Sequence, residues 1–155
     1  MTQDEFKRMI AEIAAASAGK TLDAALMAEL NRRFPADGAA FRAIEAACHA
    51  AVADGWMCAR AAGGVKYGRV IKPDDPALHG FSVDVVHMRD CMGPHHRHPN
   101  GEIDMIMPIA STAKFDGHGR GFLVYGPDTA HHPTVSEGEA LVLYLLPGGA
   151  IEFTR

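Results

Sequence analysis

A chain of 155 residues can bury one core of moderate size, and 48% hydrophobic with 22% charged residues is the balance of a soluble globular protein. A formal charge of -4 and a sequence pI near 6.1 supply no basic stripe for a phosphate backbone, and the longest apolar run, residues 140–146, is far too short to cross a bilayer, so neither nucleic acid nor membrane is an expected partner. Cys48, Cys58 and Cys91 are odd in number and form no C-x-x-C pair, which argues against a disulfide framework or a thiolate zinc knot and for reduced thiols in a cytoplasmic protein without a targeting segment.

One domain is expected, with residues 1–55 as a helical region and 56–155 as a β region. Phe6, Met9, Ile10 and Ile13 follow the spacing of one helix face, ended by Gly19. Thr21 is the expected cap of a second helix carrying Leu22, Leu26 and Leu30 and stopping before Pro35. Asp37 is the expected cap of a third, which aligns Phe41, Ile44, Cys48 and Ala51 before Gly55 releases the chain. Strand-like runs follow at 56–61, 65–72, 81–88, 103–108, 121–125 and 140–146, with Ala62-Gly63-Gly64 as a hairpin turn between the first two. Short strands at this interval with no helices between them predict an antiparallel sandwich or barrel.

The chemistry concentrates in Gly93-Pro94-His95-His96-Arg97-His98-Pro99-Asn100-Gly101-Glu102. His96 and His98 are two apart and share a face of an extended strand, and Glu102 returns to that face after a Pro-Asn-Gly bend. Two imidazoles and a carboxylate suit zinc, iron, manganese, copper or nickel. A fourth ligand can come from Gly126-Pro127-Asp128-Thr129-Ala130-His131-His132-Pro133, where His131 and His132 compete. His95 reads as an outward-facing neighbour.

Asp104 follows Glu102 by two and shares its cavity face, either as a proton-handling group or as a hydrogen-bond partner that fixes the tautomer of a ligand histidine. Ile103, Met105 and Met107 face the other layer. On 65–72, Tyr67, Arg69 and Ile71 share one face. If that face looks inward, Arg69 is a natural fork for a substrate carboxylate.

The motif resembles that of the cupin superfamily, H-x-H-x-x-x-E followed by one further histidine after a Pro/Gly turn. His96, His98 and Glu102 match it position for position. The resemblance aligns His131 with the remaining ligand and Asp128 with a position commonly held by glycine; anchoring on Pro127 instead would select His132. The resemblance implies a mainly β fold, a cupin-type antiparallel β-barrel or jelly roll, preceded by about three helices. It also implies a divalent transition metal ion, iron, zinc or manganese, held by His96, His98, Glu102 and His131.

Ala62 to Arg69, Gly80-Phe81-Ser82-Val83-Asp84-Val85-Val86, Gly93 to Asp104 and Ala140 to Pro147 with Ile151 to Arg155 further resemble the 4-hydroxylaminobenzoate lyase family over nearly the whole chain. That resemblance implies conversion of 4-hydroxylaminobenzoate and water to protocatechuate and ammonia in bacterial nitroarene breakdown. Glu102 and Asp104 would be the catalytic carboxylates and Arg69 would bind the substrate's carboxylate. Another cupin enzyme, a dioxygenase or isomerase, and a non-catalytic cupin that binds a small ligand are the competing readings. The expected partners are a small aromatic substrate and, from unpaired sheet edges and apolar helix faces, a second copy in a homodimer.

Overall fold

The computed structural model of the chain describes residues 2–154. Helix α1 (Gln3–Ser17) starts with a capping box: the Thr2 side chain accepts from the Glu5 N–H, and Glu5 accepts from the Thr2 N–H. Helices α2 (Ala24–Arg33) and α3 (Ala39–Ala53) start later than expected. Asp23, not Thr21, caps α2, accepting from the Leu26 N–H at 2.9 Å, which leaves Leu22 ahead of the helix. Gly38, not Asp37, is the cap of α3 and offers no side-chain acceptor. A carboxylate nearer the helix can reach the free N–H groups that a residue two positions earlier cannot.

Ten strands follow among the described residues: β1 (Arg60–Ala62), β2 (Val65–Ile71), β3 (Phe81–Met92), β4 (His96–His98), β5 (Glu102–Pro108), β6 (Lys114–Phe115), β7 (Gly121–Tyr125), β8 (Thr129–His131), β9 (Thr134–Pro147) and β10 (Glu152–Phe153). They form two antiparallel sheets. The larger runs β1-β2-β3-β9-β5-β7, with β6 also paired to β9, and the smaller runs β10-β4-β8. The fold is therefore mainly β and antiparallel, a jelly roll of cupin type, with its hydrogen bonding divided between two sheets and not closed into one barrel.

Gly63 and Gly64 form the two-residue hairpin turn with φ of +57° and +82° while Ala62 pairs with Val65, so this turn is where the sequence puts it. The expected strand at 56–61 shrinks to Arg60–Ala62, because the chain after α3 turns through Gly55 and through Cys58, at φ +55°, before extending. The strands at 81–88 and 140–146 both run longer than expected, through register shifts in their β3–β9 pairing between Arg89 and Cys91.

The two faces of the larger sheet have different jobs. Val83, Val85, Ile103, Met105, Met107, Leu141, Leu143 and Leu145 pack against Phe6, Ile10, Ile13, Leu30, Phe41 and Ile44 of the helices in one buried cluster. Val65, Met88, Ile106, Phe115, Leu123, Val135 and Val142 form a second cluster on the opposite face. Strand β5, buried along its whole length, serves both: its odd-numbered residues anchor the helices, and Glu102 and Asp104 alternate onto the face that lines the cavity. No helix among the described residues is long and apolar enough to cross a membrane.

Candidate metal centre

Strands β4 and β8 pair so that His96 lies opposite His131 and His98 opposite Thr129, which sets three imidazoles on one small sheet. Glu102 reaches the same point from the larger sheet, and the four ligand atoms lie within 4.8 Å of one another. The Nε2 atoms of His96 and His98 are 2.9 Å apart, those of His96 and His131 3.1 Å, and His98 Nε2 is 3.3 Å from Glu102 Oε2. Neighbouring ligands on one ion with bonds of about 2.0–2.1 Å sit roughly 3 Å apart when their directions are near perpendicular.

Each ring is held from behind. His96 Nδ1 donates to the Pro94 carbonyl at 3.2 Å, His98 Nδ1 to the Thr129 hydroxyl at 3.0 Å, and His131 Nδ1 to Asp116 Oδ2 at 2.6 Å. The Thr129 hydroxyl spends its own proton on the Gly126 carbonyl at 2.7 Å, so it can only accept from His98. With Nδ1 the donor in all three rings, three Nε2 lone pairs converge beside a carboxylate oxygen. Three acceptors at this distance repel unless a cation lies among them, so the donor set fits a divalent transition metal. Burial first, and then the neighbouring His131, push His96 down to about 4 and His98 down to about 3, so both stay neutral and able to ligate near pH 7.

Of the two competing histidines, only His131 joins the group. His132 turns away, its Nδ1 3.2 Å from the Gly93 carbonyl and its ring 4.8 Å from that of His95, which is itself bonded to the Thr154 hydroxyl. The turn before β8 explains how Asp128 can stand where glycine is common. Its φ is +65°, a left-handed conformation that aspartate tolerates better than most residues, and its side chain pairs with Arg97.

Glu102 and Asp104 are both buried and adjacent on one face. Burial raises the pKa of each, and the neighbouring Glu102 lifts Asp104 further, so the proton the two carboxyls share resides on Asp104. Apart from the Glu102 carboxyl, Asp104 has no hydrogen-bond partner among the described residues. Asp104 therefore does not fix a histidine tautomer, the second of its two expected roles. Asp116 does, and sequence reading missed it. Although burial opposes its ionisation, hydrogen bonds from His131, from the Tyr125 hydroxyl at 2.5 Å and from the Thr134 N–H at 2.9 Å hold its carboxyl below the usual range. We expect Asp116→Asn to keep the fold while weakening metal binding about 10- to 100-fold, read as metal content after dialysis against graded chelator.

Beside the ligands lies a cavity of about 260 Å³, walled by Val65, Tyr67, Val86, Met88, Phe115, Val142 and Tyr144, with Ile151 and the exposed Phe153 also lining it. This falls just below the roughly 300–1,000 Å³ of typical small-molecule pockets and suits a single ring. Tyr67 points into it, but Arg69, two residues on, is not part of the lining. The Arg69 guanidinium is captured by the carboxylate opposite it on β3: Nε donates to Asp84 Oδ1 at 2.9 Å, and a terminal nitrogen donates to the Gly149 carbonyl at 3.1 Å. The expected fork for a substrate carboxylate is thus engaged elsewhere.

Comparison with known proteins follows the same lines. The family model described as 4-hydroxylaminobenzoate lyase (PnbB) matches residues 7–153. The 4-hydroxylaminobenzoate lyase of Pseudomonas putida is 26% identical over 168 aligned positions, covering 97% of this chain and 95% of that protein. That of Nocardioides sp. (strain LMS-CY) is 32% identical over 111 positions, covering 66% of this chain and 65% of that protein. Among solved structures, an RmlC-like cupin protein from Ralstonia eutropha JMP134 overlaps 63% of this chain and 64% of its own with 13% identity and a TM-score of 0.46. With a family match spanning all but the ends of the chain, the protein belongs to the 4-hydroxylaminobenzoate lyase family.

Proposed function

We propose that the chain is a metal-dependent lyase that converts 4-hydroxylaminobenzoate and water to protocatechuate and ammonia. The observation that carries this reading is the convergence of three Nε2 lone pairs and Glu102 beside a one-ring cavity, next to a buried Asp104 whose only polar partner is Glu102. His96, His98, Glu102 and His131 would hold the ion. When bound, it supplies Lewis acidity toward an oxygen of the substrate or of water.

The reaction needs no external oxidant. The N–O bond breaks and its oxygen leaves as water after taking a proton; one water adds a hydroxyl to the ring carbon ortho to nitrogen and loses a proton. A second water hydrolyses the resulting imine and ammonia departs, so the net consumption is one water. Nitrogen gains the two electrons that the ring loses. Asp104 is the proton store for these steps: it protonates the departing oxygen and regains a proton from the water that adds to the ring. Val65, Val86, Val142 and Phe115 hold the ring and keep bulk water from it.

The test is to purify the protein without added metal, determine its metal content, and incubate it anaerobically with 4-hydroxylaminobenzoate. Ammonia and protocatechuate in equal amounts, lost on chelation and restored by one metal, are expected. A requirement for oxygen would instead identify a dioxygenase, and full turnover by verified metal-free protein would remove the ion from the reaction.

A further inference from the structure

One lateral row of the larger sheet breaks the apolar pattern of its cavity face. Arg69 pairs with Asp84, Asp84 with Tyr144, and Tyr144 with Asp104, so four polar side chains stand side by side across β2, β3, β9 and β5. Directly opposed residues in antiparallel pairs have Cβ atoms about 4.5–5.5 Å apart, so each member is a direct cross-strand neighbour of the next. The adjoining row, Tyr67, Val86, Val142 and Ile106, is apolar apart from one hydroxyl.

The half of the row away from the cavity is internally satisfied. Asp84 accepts from Arg69 Nε at 2.9 Å and from the Ser82 hydroxyl at 3.0 Å, and Arg69 also reaches the Gly149 carbonyl. The other half is not. Asp104 is fully buried with no partner besides the Glu102 carboxyl, and Tyr144 lines the cavity. Among the described residues, Tyr125 donates its hydroxyl to Asp116, whereas no such acceptor takes the proton of Tyr144. Burial, and then Asp84, Glu102 and Asp104, push the Tyr144 phenol well above its ordinary pKa, so it keeps that proton.

We propose that Tyr144 is the residue that recognises the substrate's hydroxyl: its O–H donates to the oxygen of the N–OH group and presents that oxygen to Asp104. The inference rests on the aryl-hydroxylamine reading and names the residue that would select the hydroxyl of that substrate. Arg69 and Asp84 continue the row on the other side of Tyr144 and are occupied with each other.

The test uses inert isosteres so that binding is read apart from turnover. Metal-loaded protein is titrated calorimetrically with 4-(hydroxymethyl)benzoate, in which CH2–OH replaces NH–OH, and with 4-methylbenzoate, which lacks the hydroxyl. Wild type should prefer the alcohol by about 3- to 10-fold, the size of one neutral hydrogen bond. Tyr144→Phe should reduce the preference to within twofold, and Tyr144→Met should do the same, whereas Tyr67→Phe, one row away, should retain it. Metal content and thermal unfolding of each variant verify that site and fold are intact. An unchanged preference in Tyr144→Phe, or none in wild type, overturns the assignment. If the preference follows Tyr144 but wild type releases no ammonia from 4-hydroxylaminobenzoate, the lyase reading fails while hydroxyl recognition by Tyr144 stands.

Discussion

Replacing His98 with Ala is expected to remove bound metal and to lower turnover at least about 1,000-fold, while the chain still folds. His98 has no exposed surface, its Nδ1 is fixed by Thr129, and its Nε2 is the atom placed between His96 at 2.9 Å and Glu102 at 3.3 Å. Its ring also stacks on Tyr125, with centroids 5.4 Å apart, so truncation loses packing as well as a ligand. In the metal-free state that loss is offset in part, because one of three mutually repelling acceptors goes with it. The diagnostic is the response to added metal. An ion at 100 times its Kd stabilises a folded protein by about 2.7 kcal/mol, which for a chain of this size raises Tm by roughly 5–10 °C. Wild type should show that rise and His98→Ala should show almost none. A variant that still gains the full Tm increase would place the metal elsewhere.

The grouping of His96, His98 and Glu102 could be read from the sequence because it depends on strand parity and one bend, both local properties, whereas His131 and His132 stayed open until the fold placed them. His96, His98 and Glu102 needed only a period of two and the Pro-Asn-Gly turn, and the alternation of Ile103, Met105 and Met107 onto the helix-packed face follows from the same period. What could not be read depends on contacts between distant segments. Asp116 sits just past the two-residue strand β6, in a tight turn at φ +50°, and nothing in its neighbourhood says that it faces His131. Tyr144 lies inside the apolar run 140–146, where an aromatic residue reads as core packing. Its meaning appears only when β9 is flanked by β3 and β5, which bring Asp84 and Asp104 to either side.

Arg69 is the converse case. Its parity is that of Tyr67, yet the cross-strand partner Asp84 decides where its charge goes, and a lone arginine in a strand gives no sign of that partner. The three-residue strands β4 and β8 are likewise too short for an alternation signal, so their pairing could be guessed only from the chemistry of the histidines they carry.

Gly101→Ala should destabilise the fold by about 2–4 kcal/mol and abolish activity with it. Gly101 has φ +88°, and a Cβ there would lie 2.6 Å from the Tyr125 carbonyl oxygen and 2.8 Å from Leu22 Cδ2. The first obstacle is backbone of β7, with the Gly126 backbone 3.3 Å away behind it, and cannot yield without moving the bend, whereas the second is the end of a leucine side chain that can turn aside. Glu102, the next residue, pairs with Tyr125 in that same register, and Tyr125 in turn supports Asp116 and His98. Relief of the clash therefore displaces a ligand and two groups that orient ligands. Gly63→Ala is the matched control: φ is +57° and nothing lies within 4 Å, so only backbone strain of about 1 kcal/mol is expected, with metal binding untouched. Equal losses of Tm in the two variants would mean that strain alone, and not the approach of the Tyr125–Gly126 backbone to Gly101, sets the geometry of the bend.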